Sequence, residues 1–294
     1  MHGIVVIDKP TGMSSAHAVE HVRRALGVAR AGHGGTLDPL ATGVLAICVG
    51  AATKLARFLL ADDKAYIADG VLGVETDTLD RTGRVVAERA IEVSRDALAA
   101  ALAARLGAQT QIPPMYSAIK QGGVRLYDRA RAGEEVERAP RSIRIDRLEL
   151  LAFEPPRFRI ALACSKGTYV RSLIADLGTA VAAGAHLTEL RRTRSGRFTI
   201  DDAVALDRVR EATLVPPEAA LAFPRVTVPR ALLESVLSGV QLPVATWGID
   251  SEQFQLIEET GGLLAVAHAE AGRTVYDRVF PELARGRGSS ASGA

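Results

Sequence analysis

Apolar positions recur along this chain in two rhythms, one near two residues and one near 3.6, and glycine and proline punctuate them. Gly3-Ile4-Val5-Val6-Ile7 is a continuous apolar run that reads as a buried strand, closed by the turn Asp8-Lys9-Pro10-Thr11-Gly12. Ser14 or Ser15 stands where a helix cap belongs. Val19, Val22 and Leu26 give that helix its apolar face, and Gly27 supplies a stop. The glycine-rich stretch from Ala31 to Pro39 is predicted as a loop, followed by a strand over Val44 to Val49 and a helix over Lys54 to Leu60.

Residues 64–72 and 84–87 read as strands on either side of a polar turn over 76–83. Ser94 opens an alanine-rich helix that Gly107 closes, and residues 112–140, which carry prolines and arginines, read as irregular. Ile143 and Ile145 alternate as in a half-buried strand. Leu148 and Leu150 continue one residue out of phase, so a bulge is expected at Asp146 or Arg147. Phe158, Ile160, Leu162 and Cys164 alternate without a break. A helix from Thr168 then buries Val170, Leu173, Leu177 and Val181. Beyond Leu214-Val215-Pro216-Pro217 the apolar runs shorten, as in a small β-rich module. The expected division is a main domain over 1–215, a module over 216–284 and a disordered Gly/Ser/Ala tail over 285–294.

Composition narrows the class. Of 294 residues, 48% are apolar, and the mean hydropathy is +0.12, enough to bury a core. The longest stretches without a charged residue, Pro39 to Thr53 and Ser235 to Ile249, are 15 residues each. A membrane-spanning helix needs roughly 20. Asp8 and Lys9 interrupt the first apolar run, which argues against a signal peptide, so the expectation is a soluble cytoplasmic protein. Two cysteines, Cys48 and Cys164, cannot build a disulfide framework or a cysteine zinc site. There is no His-Glu-x-x-His or P-loop pattern, and the one Gly-x-Gly-x-x-Ala match lies in the tail. No metal and no cofactor are expected.

Charge changes the picture through its kind. Five lysines leave 31 arginines among the 36 basic residues, although the net charge is only +2. Arginine suits bidentate contact with phosphate and stacking on bases. Arg191, Arg192, Arg194 and Arg197 fall within seven residues and form the better phosphate candidate. A second group from Arg125 to Arg147 is diluted by acidic neighbours. Asp38, between Leu37 and Pro39, is held out of helical geometry by the proline, and the glycines before it admit a close ligand. With Tyr66 on a strand, Tyr169 at a helix start and Arg171 off that helix's apolar stripe, Asp38 could line a pocket for a flat polar ligand such as a nucleobase.

The run Gly32-His33-Gly34-Gly35-Thr36-Leu37-Asp38-Pro39-Leu40-Ala41-Thr42-Gly43 closely resembles the signature loop of the TruB family, the bacterial tRNA pseudouridine-55 synthases. Six further blocks match in order: Gly3 to Pro10 with Gly12, Lys64-Ala65-Tyr66, Thr76 to Asp80 with Gly83, Gln111 to Lys120, Cys164 to Arg171, and Ala185 to Thr193. The resemblance covers roughly residues 3–200. It implies an α+β fold with a mixed, largely antiparallel sheet, flanking helices and a central RNA-binding cleft, followed by a small PUA-like module. It also implies that Asp38 is the essential carboxylate and that Arg171 pairs with it. Tyr66 would stack on the target base and take part in proton removal. Tyr169 and Leu190 would line the base pocket, and His33 would help hold the remodelled RNA loop. Arg191 and Arg192 are expected to bind substrate phosphates. Lys64 and Lys120 match family positions without an assigned role.

The implied reaction isomerises uridine to pseudouridine on a flipped-out base and needs no cofactor. Asp38 would attack the sugar or the base, or drive loss of a ribose proton. The implied partner is tRNA through its T-arm stem-loop, with no membrane, no obligate protein partner and a monomeric chain. Two other readings compete: a non-catalytic RNA-binding or tRNA-folding protein, and a nucleotide-dependent enzyme using the glycine loop for phosphate. The set Asp38, Tyr66 and Arg171 argues against the first as a sole role. The lack of a lysine-serine pair after the loop argues against the second.

Overall fold

The structure, a computed structural model, describes residues 1–117, 120–122, 124, 125, 129, 134 and 136–284. The tail over 285–294 and most of the arginine-bearing segment 118–135 lie outside the described residues. In chain order the elements are β1 (Gly3–Lys9), α1 (Ser15–Ala25), β2 (Ala31–His33), β3 (Thr42–Val49), α2 (Ala56–Ala61) and β4 (Lys64–Leu72). Next come β5 (Val74–Thr76), β6 (Val85–Glu88), α3 (Arg95–Ala103), β7 (Gly107–Gln111), β8 (Lys120–Gln121), β9 (Val124–Arg125) and β10 (Arg141–Glu154). Then follow β11 (Arg157–Cys164), α4 (Val170–Ala180), β12 (Ala185–Ser195), β13 (Phe198–Thr199) and β14 (Val204–Ala205). The C-terminal part holds β15 (Arg225–Val228), α5 (Leu233–Leu237), β16 (Gln253–Glu258), β17 (Leu263–Glu270), β18 (Arg273–Val279) and α6 (Pro281–Ala284).

Ten strands form one mixed sheet in the order β14-β1-β3-β12-β4-β11-β10-β7, with β2 on β3 and β13 on β12. Within this sheet, among the described residues, only β1–β14 and β12–β3 pair in parallel. Local chemistry explains several boundaries. The Ser14 hydroxyl accepts from the His17 amide, which selects Ser14 as the cap of α1, and Gly27 turns the chain at φ +62°. The phase slip in β10 is a register shift between Ile145 and Arg147. The helix expected from Thr168 starts at Val170, with Tyr169 in the extended cap position. The helix expected over Lys54 to Leu60 is a 3-10 turn over Gly50–Leu55 running into α2. The alanine-rich helix ends at Ala103, and Gly107 instead opens β7 at φ +89°.

The sequence pattern had no strand at 185–195, yet β12 is central. Register shifts at Leu187/Glu189 and Arg192/Arg194 break its alternation, so the buried positions fall at 185–187, then 190 and 192, then 195. One face of the sheet buries Val5, Ile7, Leu45, Ile47, Tyr66 and Leu162 under α1, α3 and α4. The other face buries Ile4, Val6, Val44, Ala46 and Cys48. Its cover includes Leu263, Val266, Phe280 and Leu283 from the C-terminal part. There β15-β16-β17-β18 form a second, four-stranded sheet with its own core around Trp247, Phe254 and Leu256. Both cysteines are buried, and burial pushes their thiols up to about 12 and about 11, as suits packing rather than chemistry. No helix among the described residues is long and apolar enough to cross a membrane.

Candidate active site

Asp38 sits on the connection between β2 and β3, and four anchors fix that connection. The Ser15 hydroxyl donates to the Leu37 carbonyl at 2.9 Å and accepts from the Leu37 amide at 2.8 Å, tying the loop to the start of α1. The Gly12 amide donates to the Pro39 carbonyl. Gly34 passes Leu59 so closely that a Cβ would lie 2.6 Å from the leucine's own Cβ. Lys9, fully buried, aims its ammonium at the carbonyls of Pro10 (2.8 Å), Met13 (2.7 Å) and Pro39 (3.5 Å). Burial pushes that ammonium down to about 8, with the Asp38 carboxylate opposing.

Arg171, on the first turn of α4, is 4% exposed and organises one end of the site. Its Nε donates to Asp38 Oδ2 at 2.9 Å, Nη1 to the Thr78 carbonyl at 2.9 Å and Nη2 to the Tyr116 carbonyl at 2.7 Å. A second carboxylate, Asp80, lies 3.7 Å from Nε. Asp80 is buried and accepts from Thr78 Oγ1 (2.8 Å), the Thr82 amide (2.9 Å) and Thr82 Oγ1 (2.5 Å). This explains the block Thr76 to Asp80 with Gly83. The turn presents one carbonyl and one carboxylate to Arg171, and a Cβ on Gly83 would collide with Thr78 Oγ1 at 2.4 Å. Sequence reasoning gave Asp80 no role.

Asp38, Tyr66, Tyr169, Arg171, Leu190 and Arg192 meet around one cavity of about 320 Å³, together with Lys64 and Ser117. Gln111 holds Tyr169 by a reciprocal amide pair: it donates to the Tyr169 carbonyl at 3.0 Å and accepts from its amide at 2.8 Å. Burial raises both tyrosine phenols above their ordinary range. The Arg192 guanidinium opposes this at Tyr66, and the Ser117 hydroxyl opposes it at Tyr169. Ser117 Oγ is buried beside the Tyr169 phenol. It also lines an adjoining cavity of about 380 Å³ that shares Asp38 and Arg171. His33 belongs to this second cavity. Its Nδ1 accepts from the Gly35 amide at 3.4 Å, and burial, then Arg192, lower its pKa, keeping a neutral ring near pH 7.

The arginine cluster of 191–197 is not one surface, because β12 sends neighbours to opposite faces. Arg191 points away from the cavity and pairs with Asp8 at 2.8 Å. Arg192 is 1% exposed. Its Nε donates to the Val44 carbonyl at 2.7 Å, Nη1 to Thr36 at 3.3 Å and Nη2 to Gly35 at 3.1 Å, so it is a wall of the cavity rather than an exposed phosphate contact. Lys64 is the other cation of that wall. Its ammonium donates to the carbonyls of Leu59 (3.2 Å), Leu60 (2.9 Å) and Asp62 (2.5 Å), and burial pushes it down to about 8. The side chain of Lys120 lies outside the described residues. In the second arginine group, Arg144 and Arg147 are taken up by Asp146 and Glu149.

A family model described as TruB family pseudouridylate synthase, N-terminal domain, matches residues 23–170. One described as tRNA pseudouridylate synthase B C-terminal domain matches residues 171–237. The chain is 47% identical to the tRNA pseudouridine synthase B of Aromatoleum aromaticum over 247 residues, 82% of this chain and 79% of that protein. It is 51% identical to the protein of that name from Symbiobacterium thermophilum over 245 residues, 81% and 82% of the two chains. Among solved structures, a chain of a Cbf5-Nop10-Gar1 complex is similar with a TM-score of 0.74 and 27% identity, covering 95% of this chain and 84% of that one. A chain of an H/ACA RNP bound to a substrate RNA containing 2'-deoxyuridine is similar with a TM-score of 0.71 and 25% identity, over 95% and 84%.

Proposed function

This chain belongs to the TruB family of pseudouridylate synthases, and on that footing we propose that it converts uridine 55 in the T-arm loop of tRNA to pseudouridine, as a cytoplasmic monomer. The observation that carries the reading is the Asp38 carboxylate, about a third exposed, held at 2.9 Å by the buried Arg171 at the mouth of a cavity lined by two tyrosines and a leucine. A lone carboxylate aimed into a base-sized, mostly apolar cavity suits chemistry on a nucleotide swung out of its stack. Unstacking costs a few kcal/mol, which contacts to the RNA backbone offset.

In this reading Arg171 orients the carboxylate while its other nitrogens, anchored on the carbonyls of Thr78 and Tyr116, stop the pair from turning. Asp38 attacks the sugar or the base, or drives loss of a ribose proton. Tyr66, Tyr169 and Leu190 confine the detached base while it rotates, which preserves the advantage of proximity. The Tyr66 phenol takes part in removing the final proton from C5. Residues 1–215 serve as the catalytic domain and 216–284 as a PUA-like RNA-binding module, whose exposed arginines include Arg225, Arg230, Arg273 and Arg278. The test is incubation of the purified chain with a T-arm stem-loop transcript, followed by carbodiimide labelling and primer extension. A stop at the target uridine is expected, and an unmodified transcript at excess enzyme overturns the proposal.

A further inference from the structure

Three buried cations ring the loop that carries Asp38. Lys9, Lys64 and Arg192 are each below 10% exposed, and among the described residues none forms an ion pair; each is held by main-chain carbonyls. Burying a charge without a counter-charge costs several kcal/mol even after relaxation. Such an arrangement is therefore expected where a negative charge arrives during function. Two of the three, Lys64 and Arg192, face the cavity that holds Asp38. Arg192 is the better placed. It lies cross-strand from Tyr66 and beside that phenol, and its five N–H groups exceed the three carbonyls they serve.

We propose that Arg192 is a catalytic residue whose guanidinium binds the negative charge that uracil carries between leaving the ribose and rejoining it. The inference rests on the isomerase reading above. When the bond from N1 to the sugar carbon breaks, its electron pair leaves on the base and spreads over N1, O2 and O4. The sugar's deficit is met by a bond from the Asp38 carboxylate or by loss of the ribose 2′ proton. After rotation, C5 donates a pair to the same carbon, and the carboxylate departs or the ribose proton returns. C5 then loses its proton and N1 gains one. Arg192 takes no part in these proton transfers; it contributes charge and hydrogen bonds alone. Its charge favours the anion over the neutral, bound uridine, which is what an accelerating contact must do.

The test compares wild type with Arg192→Lys and Arg192→Gln at saturating stem-loop RNA in single turnover. Each is run with uridine or 5-fluorouridine at the target, scoring loss of the N-glycoside after nuclease digestion. Removing a charge-stabilising donor should slow cleavage about 10²-fold in Arg192→Gln and about tenfold in Arg192→Lys. RNA affinity should hold within about threefold, since no phosphate contact is lost. The fluorinated base leaves more readily as an anion, so the defect should shrink severalfold on it. Equal defects on both substrates, or a loss confined to RNA affinity, overturn the assignment. A second measurement needs no variant: free 5-fluorouracil binding to wild type with an abasic stem-loop. Affinity should tighten as the base ionises from neutral to mildly alkaline pH; a flat or weakening affinity, or no binding, overturns the proposal. Wild type that fails to form pseudouridine sinks the isomerase reading itself, whereas active wild type with an unimpaired Arg192→Gln retires only Arg192.

Discussion

The two ends of the cavity hold charge in opposite ways. At one end Arg171 faces two carboxylates, Asp38 at 2.9 Å and Asp80 at 3.7 Å, and spends its remaining nitrogens on carbonyls. At the other end Lys64 and Arg192 form no ion pair among the described residues and donate to carbonyls, with the Tyr66 phenol beside Arg192. Arg171 and Asp80 at one end and Lys64 and Arg192 at the other are all buried, so neither end is a surface ornament. The first is balanced and directional, suited to holding one carboxylate in one pose. The second is unbalanced, suited to attracting charge that is absent until substrate reacts. Location within one cavity therefore does not give these cations one job.

The change that strikes this contrast hardest is Asp38→Asn, which keeps the shape and removes the nucleophile. Turnover on the stem-loop should fall by at least about 10³-fold, while RNA affinity in a filter-binding assay stays within a few-fold. Residual turnover near wild type would remove Asp38 from the chemistry. Arg171→Lys comes next. A lysine offers one charged nitrogen for what the guanidinium does with three, so the rate should drop about 10²-fold. Asp80, 6% exposed, would lose its partner. Breaking a buried pair costs about 3 kcal/mol, so the denaturant midpoint should fall as well. An unchanged midpoint would mean that the Thr78 and Thr82 hydrogen bonds satisfy Asp80 alone.

How much of this was legible beforehand depends on how local the cause was. The Ser14 cap, the Gly27 stop and the β10 bulge have short-range causes and could be read from neighbouring residues. Asp38, Tyr66, Tyr169 and Arg171 were legible from their local settings as well as from the resemblance, Leu190 from the resemblance alone, and all five reach one cavity. Arg192 was grouped with its arginine neighbours as a phosphate contact, whereas it is a buried wall of the cavity. In a strand with two bulges the alternation that would separate an inward from an outward arginine is erased. Asp80 was missed because its partner is 91 positions away in sequence, at Arg171, and nothing local marks a buried carboxylate. The C-terminal module was legible as β-rich. Its sharing of a core with Ile4, Val6 and Val44 was not, since those residues read as an ordinary buried strand.

Tyr66→Phe bears on the cationic end, because the phenol lies beside Arg192. Loss of a group that assists proton transfer should slow single turnover about 10- to 100-fold with binding intact. An unchanged single-turnover rate would leave Tyr66 only a stacking role. A milder probe is pH. Lys64 is pushed down to about 8, as is Lys9 beside the Asp38 loop, so raising pH through that value strips the Lys64 charge from the cationic end. The single-turnover rate should decline severalfold above about pH 8. Stability should move the other way. An ordinary lysine in the unfolded chain still holds its proton where the folded one has lost it, so the unfolded state binds more protons and the fold gains as pH rises between about 8 and 10.5. Lys64→Met should flatten both slopes; a rate and a stability that rise together across this window would undo the assignment of charge to that end.

The smallest effect belongs to cations of the same kind that are not buried in the cavity. Lys54 donates to Glu282 at 2.7 Å, and Arg57 lies 3.6 Å from Asp277. Both bind the 50–61 segment to the C-terminal part, Lys54 through α6 and Arg57 through β18, with Glu282 50% and Arg57 55% exposed. Water screens such pairs and their long side chains lose entropy on pairing, so each is worth about 0 to 1 kcal/mol. The interface they flank is held instead by Phe58, Phe223, Leu263 and Phe280 in a shared apolar core. Glu282→Gln should therefore shift the denaturant midpoint barely at all and leave turnover unchanged. A loss of activity there would mean that α2, whose Leu59 and Leu60 carbonyls hold Lys64, passes strain from the C-terminal sheet into the cavity. The contrast drawn above would then belong to the whole molecule rather than to the burial of two side chains.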